Sequence, residues 1–261
     1  MNPYAFLDHP TLLRYLFHPR QDHTPPGPGA FDQMISVEEN VQVCARFFVH
    51  EAHAPWILYF HGNGEIASDY DGIAPLYHQQ GINLVVADYR GYGASSGTPT
   101  FSSLVEDAHP VFRSVQNELA ARELGTDLWI MGRSMGSIPA LELAAANPEA
   151  FNGLIIESGF ACPVRLISHL GLPANIEGLD QVKEASEHKV SRVSLPVLLL
   201  HGEEDRLVPL EEAEYLEQKL INSPDLELIS IPRAGHNDIM FIGRRDYFEQ
   251  LTLFIAKTKT A

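Results

Sequence analysis

Five short apolar runs recur along the chain: Trp56–Phe60, Leu84–Ala87, Leu128–Met131, Gly153–Ile156 and Val197–Leu200. Four or five residues without a charged interruption read as a strand buried on both faces, and such strands belong to parallel sheets. Parallel neighbours need a crossover of a dozen residues or more, usually helical. The stretches between the runs supply helices after Gly64 to about Gln80, at Phe101–Leu124, from Ile138 to Asn147 and at Glu177–His188. Met34–Val37 and Val41–Val49 alternate in part and predict an antiparallel hairpin. Glu211–Ile221 reads as a helix, Glu227–Ile231 as a strand and Tyr247–Ala256 as a final helix. The expectation is an α/β fold, a mostly parallel eight-stranded sheet with helices on both faces.

Residues 1–33 contain Pro25-Pro26-Gly27-Pro28-Gly29 and read as an irregular N-terminal arm with one short helix at Pro10–Phe17. No repeat or composition break divides the remainder, so residues 34–261 are expected to form a single domain. Within it, residues 158–195 lack a strong strand and predict a short cap segment.

The stretch Asp127-Leu128-Trp129-Ile130-Met131-Gly132-Arg133-Ser134-Met135-Gly136 runs from strand to turn to helix. A serine pinched there has a strained backbone and an exposed Oγ, and the N–H of Met135 at the helix start faces developing negative charge. A second match to the same pattern, Gly93-Ala94-Ser95-Ser96-Gly97, lies in a long loop with no helix at the serine. Ser134 is therefore the expected nucleophile and Ser95 a loop residue.

A serine hydroxyl needs a base, and the base needs an orienting acid. Sites in parallel sheets lie at the carboxyl ends of the strands. His236 follows the strand Glu227–Ile231 across a short loop ending in Gly235, and it is the expected base. The acid is expected after Val197–Leu200, in His201-Gly202-Glu203-Glu204-Asp205. Asp205 is best placed, just before the loop re-enters a helix from Pro209. Glu203 and Glu204 read as solvated, and Glu157 at the end of an earlier strand is the outside candidate. The loop His61-Gly62-Asn63-Gly64 follows the third strand, where a second oxyanion donor is expected, and the N–H of Asn63 is assigned to it. His61 and His201 read as structural.

Charge and composition narrow the partners. Eighteen basic against 34 acidic residues give a net charge of −16, which argues against nucleic acid and anionic membrane surfaces. Cys44 and Cys162 are too few for a disulfide framework or a zinc site and read as buried thiols. The N-terminus lacks a basic segment followed by a long apolar one, so neither a signal peptide nor a membrane span is expected. Those features predict a cytoplasmic protein acting on a small-molecule or acyl substrate, and they leave the oligomeric state open.

Taken with Asp88-Tyr89-Arg90-Gly91-Tyr92-Gly93 and Gly235-His236-Asn237-Asp238, these motifs in this order resemble the α/β-hydrolase fold over roughly residues 34–256. Within that fold the chain looks like the lid-poor abhydrolases, whose members include protein depalmitoylases and esterases. Membrane-attached relatives carry an N-terminal cysteine cluster that is absent here, so membrane attachment and protein substrates are not carried over. The resemblance implies a serine hydrolase of esters or thioesters with Ser134, His236 and Asp205 as triad, and with no cofactor and no metal. Peptidase and perhydrolase activities use the same machinery, and a non-catalytic binding module on the same fold is the rival class. Relatives often have a second glycine after the nucleophile motif, where Ser137 and then Pro139 stand here. The cap is expected to be minimal. Once Glu177–His188 serves as crossover helix, mainly Gly159–Asn175 remains over the site. Its apolar residues are Phe160, Leu166, Ile167, Leu170 and Leu172, and Pro163, Gly171 and Pro173 break any long helix.

Overall fold

Eight strands form one sheet in the order β1-β2-β4-β3-β5-β6-β7-β8 in a computed structural model that describes residues 2–172 and 176–259. They are β1 (Ala30–Glu38), β2 (Val41–Phe48), β3 (Trp56–Phe60), β4 (Asn83–Ala87), β5 (Leu128–Arg133), β6 (Leu154–Glu157), β7 (Val197–Gly202) and β8 (Leu226–Ile231). β1 and β2 form the antiparallel hairpin and β2 pairs antiparallel with β4; every other pairing is parallel.

Helices cover both faces. In chain order they are α1 (Pro10–Leu16), α2 (Ala74–His78), α3 (Phe101–Glu106), α4 (Ala108–Ala121) and α5 (Ser137–Ala146), then α6 (Pro163–His169), α7 (Leu179–Ser191), α8 (Leu210–Lys219), α9 (Ile239–Ile242) and α10 (Arg244–Thr258). Because strand side chains alternate, each central strand feeds two cores. Trp56, Leu58 and Phe60 of β3 join Leu128 and Ile130 of β5 in one core, with residues of α3, α4, α5 and α7. Ile57 and Tyr59 join Trp129 and Met131 in the other, with residues of α2 and α10.

Two predicted helices are divided. The stretch after Gly64 becomes a 3-10 turn at Ala67–Asp71 followed by the five-residue α2, with Gly72 between them and Pro75 inside the first turn of α2. The long helix predicted at Phe101–Leu124 is interrupted at Asp107, since Pro110 has no N–H for the Glu106 carbonyl, and the Asp107 carboxylate takes Arg90 Nε at 2.7 Å and Nη2 at 2.8 Å. β1 also starts earlier than the alternation indicated, since Ala30–Asp32 pair with Phe48–Arg46. The crossover helix between β6 and β7 is α7, close to the predicted span. Pro173, predicted to break the cap, and Asn175 at its predicted end lie outside the described residues.

The N-terminal arm has structure of its own. It carries a 3-10 turn at Pro3–Leu7 and α1, and it buries Tyr4, Leu7, Leu12 and Phe17 in the first core. Both cysteines are buried and unpaired as disulfides, and burial pushes the Cys44 thiol up to about 12. Among the described residues no helix is long and apolar enough to cross a membrane.

Candidate active site

Three loops at the carboxyl ends of β5, β7 and β8 meet at one point. β5 ends at Arg133, and Ser134 takes a positive φ of 52° before the chain turns through a 3-10 turn, Ser134–Gly136, into α5. That left-handed conformation costs a non-glycine residue on the order of 1–3 kcal/mol and is held by its surroundings. The turn is tight because both glycines are bare: a Cβ at Gly136 would overlap the Phe60 carbonyl at the end of β3, and one at Gly132 would overlap the Gly136 carbonyl. Ser137 takes up the first helical turn, and its Oγ donates to the Ser134 carbonyl at 2.7 Å.

Ser134 Oγ lies 3.0 Å from His236 Nε2, and His236 Nδ1 lies 2.7 Å from Asp205 Oδ2. A carboxylate can only accept, so Nδ1 carries the proton and Nε2 is free to accept from the serine hydroxyl. All three side chains are buried. Asp205 Oδ1 is held in turn by the N–H groups of Leu207 at 2.9 Å and Val208 at 2.8 Å. Burial alone would raise the Asp205 carboxyl; the hydrogen bond and charge of His236 and the Val208 N–H outweigh it and bring it below the usual carboxylate range.

The competing acids and histidines are placed elsewhere. Glu203 accepts from the Ser230 hydroxyl. Glu157 is buried between Arg133, whose Nε donates to it at 3.0 Å, and Tyr247, whose hydroxyl donates at 2.6 Å. Ser95 is buried with its Oγ accepting the Cys44 N–H at 2.9 Å, so it fixes a loop to β2. His61 is fully buried, its ring nitrogens 2.8 Å from Gly62 O and 3.2 Å from Asp88 Oδ1. His201 Nε2 donates to the Val208 carbonyl at 2.8 Å and so shapes the Asp205 loop.

Asn63, Ser134, Met135 and His236 all line a cleft of about 440 Å³. Its apolar lining includes Ile138, Phe160, Leu166, Ile167, Leu172 and Val208. The mouth is ringed by Tyr15, Leu170 and Leu207, which are 60 %, 38 % and 44 % exposed. α6 stands at the edge as a fixed wall: Arg165 binds Glu212 at the start of α8 through two nitrogens, at 2.9 and 2.8 Å, and stacks on Tyr215 at 3.8 Å.

Arg133 is a site residue that sequence reasoning passed over. Its guanidinium is paired with Glu157 and Glu65, and its Nη2 donates to the His236 carbonyl at 2.8 Å and to Asn237 Oδ1 at 2.9 Å. It thus ties the loop of His236 and Asn237 to the end of β5. The signal was present: Arg133 and Glu157 end neighbouring parallel strands and face each other in register. Arg133→Met leaves Glu157 buried without its cation, which is expected to destabilise the fold by about 3–5 kcal/mol near neutral pH. Burial raises the Glu157 carboxyl above its ordinary value, so lowering the pH lets it protonate and become neutral. Urea denaturation at two pH values should therefore show the deficit of Arg133→Met shrinking in acid, and Arg133→Met/Glu157→Gln recovering part of it at neutral pH.

Residues 51–168, less than half of the chain, match the family described as serine aminopeptidase, S33. Human alpha/beta hydrolase domain-containing protein 17B is 28% identical over 205 residues, covering 77% of this chain and 66% of its own length, so the chain spans just under two thirds of that relative. The Pyrococcus furiosus esterase Pf2001 superposes with a TM-score of 0.70 at 17% identity, over 92% of this chain and 99% of that one. Est1E from Butyrivibrio proteoclasticus, solved with ferulic acid bound, gives 0.71 at 19% identity over 87% and 98%. The fold is the α/β-hydrolase fold. Within it the chain resembles the lid-poor abhydrolases, with human alpha/beta hydrolase domain-containing protein 17B among its relatives.

Proposed function

We propose that this protein is a serine hydrolase that cleaves a carboxylic ester or thioester through an acyl-enzyme. The observation that carries the reading is the unbroken hydrogen-bonded chain from Ser134 through His236 to Asp205 at the floor of an apolar cleft. Ser134 Oγ attacks the acyl carbon while His236 Nε2 takes its proton. Asp205 stays ionised and holds the imidazolium. The oxyanion is received by the N–H groups of Met135 and Asn63. Gly62 N–H is committed to Glu65 Oε2 at 2.7 Å, which leaves the next donor along, that of Asn63, for this role. His236 returns the proton to the leaving oxygen or sulfur as the acyl–heteroatom bond breaks. Water, deprotonated by His236, then attacks the acyl-enzyme and releases the acid and free Ser134.

The lining favours a neutral ester over the alternatives. Among the described residues no aspartate or glutamate lines the cleft, so nothing there pairs with the α-amine that an aminopeptidase would hold. Its one arginine, Arg133, is already engaged by Glu65 and Glu157, which leaves little to bind the phosphates of an acyl-CoA. A complete relay also speaks against a binding module. One solved neighbour above, Pf2001, is an esterase by name, which agrees with the reading. The acidic surface and the two buried thiols suit a cytoplasmic setting.

The short α6 wall makes an open cleft part of the proposal. Short soluble esters should be hydrolysed with ordinary saturation, without activation at a lipid interface. The check is the rate on a short-chain ester as its concentration crosses the solubility limit. A smooth curve is expected, and a sharp jump at the limit would reveal a closing lid.

A further inference from the structure

The arm before β1 contributes three residues to the cleft: Tyr15, Leu16 and His18. Its course is fixed on both sides of them. Asp8 Oδ1 accepts the Phe101 N–H at 2.8 Å, and the buried Phe17 meets Phe101 edge-on with ring centroids 5.1 Å apart. Further on, Arg20 pairs with Asp69, and its carbonyl accepts the Gly93 N–H at 2.9 Å. Between these anchors the Asn63 carboxamide grips the chain around Phe17. Its Nδ2 donates to the Leu16 carbonyl at 2.7 Å, and its Oδ1 accepts the His18 N–H at 3.0 Å. The Tyr92 hydroxyl donates to the same Oδ1 at 2.7 Å. The side chain of the residue assigned to the oxyanion thus sets where the arm lies.

The sheet order separates the two ends of a bound ester. Ser134 follows β5, Asn63 follows β3 on one side of it, and α6 and His236 follow β6 and β8 on the other. The leaving group must end beside His236 to receive its proton. The acyl substituent on the same carbon departs in another direction, and the side free of the histidine loop is the side of Asn63 and the arm.

We propose that the N-terminal arm, through Tyr15 and Leu16, is the wall that receives the acyl chain, and that α6 with Leu170 lines the leaving-group side. The inference rests on the acyl-enzyme reading above. The half-exposed Tyr15 ring is the apolar surface that a linear acyl chain covers, so the arm selects longer unbranched acyl groups over acetyl. Asn63 acts as the clamp that keeps this wall in register with the oxyanion.

Two ester series separate the walls: p-nitrophenyl acetate to octanoate varies the acyl chain, and ethyl to octyl acetate varies the alcohol. Tyr15→Ala should lower kcat/KM for the octanoate about tenfold, the scale of losing one apolar contact in a pocket, with the acetate within twofold. Tyr92→Phe, which removes a donor to the clamp, should lower the octanoate-to-acetate ratio in the same direction by less. Leu170→Ala should lower the p-nitrophenyl series evenly, leaving the octanoate-to-acetate ratio unchanged, and should weaken octyl acetate. Loss in the alcohol series for Tyr15→Ala, or no loss in either, overturns the assignment if Ser134 still reacts with a fluorophosphonate. Absence of both turnover and fluorophosphonate labelling in the folded wild type overturns the hydrolase reading itself, and the wall assignment with it.

Discussion

Ser134→Ala is expected to lose ester hydrolysis by a factor on the order of 10⁴–10⁶, leaving only what the oxyanion donors and binding supply. Ser95→Ala should stay within a few-fold of wild type. Both serines sit in the same five-residue pattern, and the difference between them is position. Ser134 Oγ is within hydrogen-bond reach of His236 Nε2, whereas Ser95 Oγ is occupied by the Cys44 N–H. The removed hydroxyl projects into the cleft, so the alanine variant should fold normally. Steady-state rates on a p-nitrophenyl ester check both variants. A dead Ser95→Ala beside an active Ser134→Ala would place the nucleophile in the wrong loop.

Asp205→Asn should be nearly as damaging, with kcat reduced by about 10⁴ and KM little changed. The carboxylate fixes the proton on His236 Nδ1, and an amide in its place can present an N–H there and reverse the tautomer. Its Oδ1 is also the acceptor for the Leu207 and Val208 N–H groups, which an asparagine oxygen can still serve. The geometry of the loop should therefore survive while the relay fails. Glu203→Gln and Glu204→Gln should retain activity. Glu157→Gln should act mainly on stability, since that carboxylate faces Arg133 and Tyr247. A larger kcat loss at Glu157 than at Asp205 would move the acid to β6.

What the sequence made legible follows from how local each signal is. The buried strands are apolar without interruption, so β3 to β7 could be read from a few residues each, and the tight turn at Ser134 could be read from the strand and helix beside it. The positions of Asp205 and His236 followed from their place after strands. The break at Asp107 had a local signal in Pro110, which has no N–H for the Glu106 carbonyl, whereas the Arg90 pairing that sits there is brought near only by the fold. The order of the arm depends on contacts that the local sequence does not show. Its prolines and glycines suggest loop, while its order comes from Phe101, Asn63 and Asp69, all distant in sequence. The role of Arg133 depends on His236 and Asn237, about a hundred residues away, although its register partner Glu157 stands at the end of the next strand.

The central claim is that Ser134 is a nucleophile activated by His236 and Asp205. Intact-mass and peptide mass spectrometry after treatment with a fluorophosphonate tests it most directly, because that reagent phosphonylates a serine only when the hydroxyl is activated. The account predicts one adduct per chain, on the peptide carrying Ser134, lost in Ser134→Ala and strongly slowed in Asp205→Asn. Folded wild-type protein that takes up no label, or takes it up on Ser95, would contradict it.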